Sequence, residues 1–320
     1  MMKRLVIAAL MLAAAAAHGQ DYPNKPICVL VPFAPGGAVD TTARVLAQAM
    51  QQRLSWQFVV ENRPGGNGFI ATTAVAKSPA DGYTLLMAHT GEFAVNPALF
   101  DNVPYELERD FAAITMVSDA PMLYLANAQA PFSNFRELIA AAKAKPGAIS
   151  FGSAGNGSIN HLAGEWLAQA AGIQLLHVPY KGGAPAAAAV AAGDVHFGVM
   201  AAPGALPHIK SGRGKVIGIT TAKKSPLDPS WATPRDAGIP DLDASIWVGL
   251  FAPKGTPQAV IERVNKEVRQ TLSLPEVQKK FVESAGAEEI GMTPAEFLAR
   301  IKSDAERYKR VVEKAGIKPG

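Results

Sequence analysis

Two stretches of this sequence, 27–88 and 148–201, pass through the same order of short apolar runs, glycine-rich turns and helical patterns. In the first stretch, ICVLV and WQFVV each precede a turn and a helical segment, and YTLLMA follows as a third strand. In the second, AISF, QLLHVPY and VHFGVMA occupy the same places. Short apolar strands that alternate with helices are typical of parallel sheets covered on both faces. The repeated order therefore predicts an α/β fold with two lobes of similar construction.

The remaining segments are assigned around these two lobes. ITMVSDAPMLYLAN (114–127) carries the chain from the first lobe to the second, and SIWVGLFAPKGTP (245–257) is another apolar strand that ends in a turn. The helical patterns after it have no strands of their own, so we expect them to return to the first lobe. The predicted division is 21–122 plus 245–320 for lobe 1 and 123–244 for lobe 2. Each lobe is predicted to be a mostly parallel sheet flanked by helices, with a cleft between the lobes.

The first residues have the pattern of a secretory signal peptide. Lys3 and Arg4 precede an apolar core of 13 residues, 5–17, and Ala17-His18-Gly19 places small residues before a cut at Gln20. The alternative is a transmembrane anchor, but this core is shorter than the ~20 residues that a spanning helix needs. We therefore expect residues 1–19 to be a cleaved signal peptide and the mature protein to be soluble and exported.

Composition and motif patterns argue against several functions. Lys plus Arg total 31 against 27 Asp plus Glu, and aromatic residues make up only 7 %, so no nucleic-acid partner is expected. Cys28 is the single cysteine and lies in an apolar run, which leaves no internal disulfide. The patterns of phosphate loops, dinucleotide sites, nucleophile elbows and zinc proteases are absent from the sequence. Neither a cofactor nor a metal is therefore expected.

Two glycine-rich turns form the candidate binding site. In an open α/β sheet, ligands bind beyond the carboxyl ends of the strands, where turns present the unpaired N–H groups of helix N-termini. VPFAPGGAVD and GSAGNGS occupy this position after the first strand of each lobe. Facing each other across a cleft, they suit a small molecule with an acidic group at one or both ends. The alternative is that each turn serves tight packing alone.

Four polar side chains near these turns each have two interpretations. Asp40 is interpreted first as a helix-start residue that accepts hydrogen bonds from unpaired N–H groups, and alternatively as a ligand contact. Ser158 is either a helix cap or a ligand contact, and Thr90 either a turn residue or a group that reaches the cleft. His161 either packs or lines the cleft. Asp40 and His161 would also be the only plausible acid–base pair of an exported hydrolase or isomerase.

The same segments resemble a known family. YPNKPICVLVPFAPGGAVDTTAR, ENRPGGNG, ADGYTLL, GSAGNGSINHLAGE, VPYKGGAPA and AAGDVHFGVM are similar, in this order, to the Bug proteins, the extracytoplasmic solute receptors of tripartite tricarboxylate transporters. The resemblance implies a two-lobed periplasmic binding protein of type II-like architecture that closes around a carboxylate. It also implies membrane permease subunits as partners, and we expect a monomer. Ala154, where family members often have proline, and Cys28 depart modestly from the family pattern.

Carried over by position, the resemblance implies ligand-binding residues in both turns. From the first turn these are Phe33, Ala34, Pro35, Gly36, Gly37 and Asp40. From the second they are Ser153, Gly155, Asn156, Gly157, Ser158 and His161, and Thr90 is added as the candidate that follows the third strand. Selectivity is assigned to Phe33, and to Phe93 if its loop turns inward. The sequence leaves open whether the ligand is a dicarboxylate, an aromatic acid or an amino acid, and whether the receptor serves transport or sensing.

Overall fold

A computed structural model describes residues 22–239 and 242–315, so the predicted signal peptide lies outside the described residues. Within these ranges the chain forms a ten-stranded sheet flanked by helices. No helix in the described ranges has the length and apolar character needed to cross a membrane. The strands are β1 (Ile27–Val31), β2 (Phe58–Asn62), β3 (Thr84–His89), β4 (Phe111–Asn127), β5 (Ser150–Ser153), β6 (Leu176–Pro179), β7 (Phe197–Ala201), β8 (Gly214–Ile219), β9 (Ser245–Pro253) and β10 (Glu288–Glu289).

The helices alternate with these strands through most of the chain. They are α1 (Ala38–Leu54), α2 (Phe69–Ala76), α3 (Asn96–Leu99), α4 (Leu107–Asp110), α5 (Phe135–Ala144), α6 (Ile159–Ala171), α7 (Gly183–Ala192), α8 (Ala202–Lys210), α9 (Gln258–Leu272), α10 (Pro275–Ala285) and α11 (Pro294–Ala315). Short 3-10 turns cover Gly66–Gly68 and Pro234–Ala237, and a π-helical turn covers Gly91–Val95.

The sheet contains two groups of parallel strands. The order is β2-β1-β3-β9-β4-β7-β5-β6, and β8 and β10 also pair with β4. β1 pairs in parallel with β2 and β3, and β5 pairs in parallel with β6 and β7. These are the strands of the two repeated stretches, and the α/β class is confirmed. The sheet as a whole is mixed, because β4 and β9 run antiparallel to their neighbours.

The long strand β4 joins the two groups. Its first part, up to Pro121, pairs with β9, whereas Met122 and the residues after it pair with β7 and β8. β9 begins at Ser245, directly opposite Pro121. Both connecting strands therefore lie side by side at the level where β4 changes partners. Parallel neighbouring strands must be joined by a crossover connection, usually a helix. β4 and β9 pass directly from one group to the other without such a connection, so they can run antiparallel to their neighbours.

The C-terminal helix α11 packs on β9 through a glycine. A Cβ added at Gly249 would lie 2.1 Å from the ring of Phe297, far inside van der Waals contact. Trp247, on the same strand, is fully buried and donates its indole N–H to Asp304 of α11 at 2.9 Å. The close approach of helix and strand therefore depends on the missing side chain of Gly249.

Candidate functional site

A cavity lies beyond the carboxyl ends of the parallel strands. Its volume is about 490 Å³, including space that is open to solvent. Among its described lining residues, polar side chains come only from His89, at the end of β3, and Asn160, on α6. The rest of the lining is apolar side chains and the backbone of glycine and alanine residues. Backbone N–H groups must therefore supply most of the polar contacts to any molecule held there.

The turn after β1 forms one wall of this cavity. Phe33, Ala34 and Gly37 line it, followed by the first residues of α1, Ala38 and Val39. Gly37 is the N-cap of α1, and no side chain caps this helix. The first N–H groups of the helix have no acceptor within it, and the positive end of the helix dipole lies at the same place. This wall has the features of an anion-binding site.

Asp40 stabilises the conformation of this turn through hydrogen bonds and does not line the cavity. Its carboxylate is 4 % exposed and accepts hydrogen bonds of 2.9 Å from Gly36 N–H, Arg44 Nε and Asn62 Nδ2. Asn62 Nδ2 also donates to the carbonyl oxygen of Phe33 at 3.0 Å. Burial acts to raise the pKa of Asp40, but the hydrogen bonds from Arg44, Gly36 and Asn62 outweigh it and lower the pKa overall. The geometry favours the helix-start interpretation.

The bond from Gly36 to Asp40 takes one backbone donor of the turn away from the cavity. The N–H of Gly36 is used inside the turn and is not available to a ligand. What Gly36 contributes is its backbone shape, with φ at +83°, a value that glycine adopts with little strain. Gly37 and the residues that follow it supply the N–H groups at the cavity.

The opposite wall is built from two further helix N-termini. α7 begins after Gly182 and α8 after Ala201, and neither helix has a side-chain cap. Both therefore present unpaired N–H groups, as α1 does. The residues of these two N-termini that line the cavity are Gly182, Gly183, Ala184, Ala201 and Gly204.

The two walls approach each other closely. A Cβ added at Gly36 would lie 3.9 Å from the Cβ of Ala184, and one added at Gly182 would lie 3.9 Å from the Cβ of Ala34. Both distances are ordinary van der Waals contacts. Larger side chains at either glycine would therefore meet the other wall.

The predicted second turn, GSAGNGS, uses several of its N–H groups in local hydrogen bonds. The N–H of Gly155 donates to Ser153 Oγ and that of Gly157 to His161 Nδ1, both at 3.1 Å. Ser158 caps α6 by accepting from the N–H of His161 at 3.2 Å. These hydrogen bonds use the N–H groups of Gly155, Gly157 and His161 within the turn and the first turn of α6.

The wall of the cavity opposite α1 is formed mainly by residues outside the predicted second turn. Of GSAGNGS only Ala154 lines the cavity, and the loop KGGAPA after β6 supplies the wall together with the start of α8. A signal for it exists in the sequence, since Gly182 and Gly183 precede a helix without a Ser, Thr, Asp or Asn to cap it. The predicted residues outside the cavity lining, whose ligand contacts stay predictions, are Pro35, Gly36, Asp40, Thr90, Ser153, Gly155, Asn156, Gly157, Ser158 and His161.

Thr90 and Phe93 are both buried away from the cavity. The hydroxyl of Thr90 donates to Ser245 O at 3.2 Å and accepts from the N–H of Trp247 at 3.0 Å, which ties the end of β3 to β9. Phe93 packs in the core with its ring centroid 4.5 Å from that of Phe251. Its loop does not turn inward, so the condition set for its role in selectivity is not met.

His161 stacks on a second histidine, His177, with ring centroids 3.8 Å apart and planes 11° apart. His177 Nε2 lies 2.6 Å from Ser153 Oγ. Burial, followed by the neighbouring His161, lowers the pKa of His177 to about 4. Between about pH 6.5 and 4, His177 therefore stays neutral in the folded protein, whereas it binds a proton in the unfolded chain.

This shift predicts a pH dependence of stability. The unfolded state binds more protons between about pH 6.5 and the folded pKa of about 4, so the free energy of unfolding should fall as pH falls through that window. His177→Gln removes this contribution, and its unfolding free energy should fall less steeply over the same window. Urea unfolding at pH 4.5, 5.5, 6.5 and 7.5 measures both slopes, and equal slopes would contradict the prediction.

Comparison with known proteins agrees with this architecture. Residues 42–317 match the family described as tripartite tricarboxylate transporter family receptor. The chain is 35 % identical to Protein BugT of Bordetella pertussis, over 95 % of this chain and 94 % of that protein.

Three solved structures have the same fold over nearly the whole chain. Rpa4515 of R. palustris with adipate has a TM-score of 0.90 and 31 % identity, over 94 % of this chain and 100 % of that one. MatC (Rpa3494) of Rhodopseudomonas palustris with bound malate has a TM-score of 0.84 and 29 % identity, over 91 % and 100 %. The structure of periplasmic binding protein BugD has a TM-score of 0.86 and 35 % identity, over 93 % of this chain and 99 % of that one. The two-lobed periplasmic binding-protein fold and the resemblance noted in the sequence are thereby confirmed. The chain belongs to the family of tripartite tricarboxylate transporter receptors that includes the Bug proteins.

Proposed function

We propose that this protein is a periplasmic receptor that binds a small carboxylate between its lobes and delivers it to the permease subunits of a tripartite tricarboxylate transporter. The observation that carries this proposal is the meeting of three uncapped helix N-termini, those of α1, α7 and α8, at one cavity. Backbone N–H groups and dipole ends favour negative charge. No lysine or arginine lines the described cavity, so recognition depends on these uncharged donors.

The ligand class follows from the arrangement of the donors. They lie on two facing walls, which suits a molecule with acidic or polar groups at both ends. Rpa4515 carries adipate and MatC carries malate, and both compounds are dicarboxylates. The apolar lining between the walls, including Phe33 and Ile246, accommodates the carbon skeleton. A dicarboxylate is therefore the first class to test, before aromatic acids and amino acids.

Closure about β4 and β9 is part of the proposal. We assign residues 21–122 plus 245–320 to lobe 1 and 123–244 to lobe 2, since β4 changes partners between Pro121 and Met122, one residue before this boundary. A ligand that contacts α1 on one side and α7 and α8 on the other favours the closed state, because only this state offers both sets of donors at once. Residues 1–19 would direct export and be removed, and the receptor would act as a monomer.

The geometry favours a receptor over the alternative hydrolase or isomerase. Asp40 and His161, the acid–base pair of that hypothesis, both form hydrogen bonds within their own turns and do not line the cavity.

Thermal-shift measurements on the mature protein test the proposal. The panel contains malate, adipate, benzoate, citrate and glutamate, each with its uncharged amide or ester as a control. A ligand at 100 times its Kd adds about 2.7 kcal/mol to the free energy of unfolding, which corresponds to a rise in Tm of about 5 °C. We expect such a rise with at least one acid and none with its uncharged analogue. A flat response to every acid would contradict the proposed function.

A further inference from the structure

Among the described residues that line the cavity, one has an imidazole side chain, and this is His89. Its ring packs on Phe33 with centroids 4.7 Å apart and is almost entirely enclosed. Nδ1 lies 2.8 Å from Glu92 Oε2, and the backbone N–H of His89 donates to the same oxygen at 2.7 Å. Nε2 has no hydrogen-bond partner among the described residues. It is therefore the ring nitrogen available to a ligand.

Glu92 is a fully buried carboxyl group behind this histidine. It has 0 % exposure, and its Oε1 has no hydrogen-bond partner among the described residues. The same oxygen would lie 2.5 Å from a Cβ at Gly68, so the carboxyl group packs directly on that glycine. An ionised carboxylate with an unpaired buried oxygen is costly. A proton shared with His89 reduces that cost.

The hydrogen bonds around Nδ1 are compatible with two protonation states of the pair. Nδ1 can donate its own proton to Glu92 Oε2, which leaves Nε2 bare when the ring is neutral. Alternatively, Nδ1 can accept, and its single lone pair is then shared by the N–H of Gly91, at 3.0 Å, and the O–H of a protonated Glu92. In this state Nε2 carries a hydrogen. One additional proton in the pair thus converts Nε2 into a donor.

The elements packed around the pair supply it with no second counter-ion. Glu92 has its ion pair with His89 and no other among the described residues. The hydroxyl of Tyr105 donates to the backbone carbonyl of Glu92 at 2.9 Å, not to its carboxyl group. On two helices that pack against these elements, the buried carboxyl groups have their own ion pairs, Asp304 with Arg300 and Arg307 on α11, and Asp40 with Arg44 on α1. The 3-10 turn Gly66–Gly68 and helix α3 contain no ionisable side chain.

We propose that His89 contacts the ligand and that the His89–Glu92 pair takes up one proton from solvent when a carboxylate enters the cavity. This inference rests on the proposed function. The ligand remains ionised and forms no covalent bond, and His89 Nε2–H donates to one of its oxygens. A negative charge beside an imidazole favours the protonated form. Proton and carboxylate therefore strengthen each other's binding, as linkage requires. Glu92 does not touch the ligand and acts as a positioning residue, because its carboxyl group holds the His89 ring through Nδ1.

Calorimetric titration of the mature protein with malate and with adipate tests this. Titrations at pH 7 in phosphate, HEPES and Tris, which differ in ionisation enthalpy, give the number of protons taken up per ligand. We expect uptake of about 0.3 to 1 proton and a Kd that rises up to ~10-fold per pH unit between pH 6.5 and 8.5. In Glu92→Gln both effects should shrink. In the control Glu165→Gln they should persist, since Glu165 lies 3.7 Å from His161 and outside the cavity lining.

Binding of a probe without proton uptake would overturn the inference and leave the proposed function intact. Nitrogen-15 NMR of the histidine rings provides an arm that needs no ligand. The His89 signals, identified by their loss in His89→Gln, should show Nε2 without a hydrogen at pH 8.5 and with one at pH 5.5. A bare Nε2 throughout this range would overturn the inference. Failure of every acid in the thermal-shift panel would, by contrast, contradict the proposed function, and the NMR measurement would still test the protonation of the pair.

Discussion

Replacement of Gly36 by valine should weaken carboxylate binding about 100-fold while the protein stays folded. An added Cβ would already touch the Cβ of Ala184 at 3.9 Å, and the valine methyl groups extend beyond it. They would hold the two walls apart, so the donors of α1 and those of α7 could no longer reach one ligand together. Loss of one set of contacts, at about 2.7 kcal/mol, corresponds to this factor of 100. Calorimetric titration with malate and adipate measures it.

Gly147→Val is the matched control for this change. Gly147 has φ of +75°, close to the +83° of Gly36, and no atom lies within 4 Å of the position of its Cβ. Both variants should therefore lose about 1–2 kcal/mol of stability from left-handed backbone strain. Binding should be unchanged in Gly147→Val. Wild-type affinity in Gly36→Val would mean that the first turn is not part of the site.

Replacement of Asp40 by alanine should lower the free energy of unfolding by about 3 kcal/mol, because its buried carboxylate is the acceptor for three donors. The Gly36 N–H and the Asn62 amide would lose that acceptor. Urea unfolding measures the loss. Glu283→Ala is the control, since Glu283 is well exposed and forms only an i,i+4 ion pair of 3.8 Å with Lys279. Its effect should stay below about 0.5 kcal/mol.

The pH dependence gives a second measurement of the role of Asp40. Its pKa is lowered in the folded state, so its stabilising contribution is complete above the unfolded value of about 3.9. The contribution is lost as pH falls from there through the folded pKa. The difference between wild type and Asp40→Ala should therefore be full at pH 7 and shrink below about pH 4. A difference of less than about 0.5 kcal/mol at pH 7 would show that the turn does not depend on Asp40.

Most of the fold could be predicted because it depends on local patterns. β1 to β3 and β5 to β7 are short apolar runs separated by helical segments, and they form the two parallel groups. The helix-start interpretation of Asp40 was also accessible, because the carboxylate and the Gly36 N–H that it accepts from are only four residues apart. The antiparallel course of β4 and β9 was less accessible, since strand direction depends on partners far along the chain.

The described lining of the cavity includes Phe33, Ala34 and Gly37 of the first predicted turn and only Ala154 of the second, and the ligand contacts of both turns stay predictions. The second turn resembles an anion-binding loop because of its glycines and polar residues, but some of these polar residues accept hydrogen bonds from its own N–H groups. Ser158 is an example, since its hydroxyl accepts from the N–H of His161 and so occupies one donor of the α6 N-terminus. His89 and Glu92 are not among the predicted site residues, because their hydrogen bond and the burial of Glu92 become visible only in the folded structure.

By itself, the sequence determined the α/β class, the two repeated units, the family and the glycine turn at Gly36. Each of these depends on residues close together in the chain or on the order of motifs along it. The tertiary structure alone decided that α1 faces α7 and α8, with Gly36 against Ala184. It also decided that Glu92 is enclosed behind His89. The physical reason is that facing walls and buried charges arise from packing between segments distant in sequence, which local propensity does not encode.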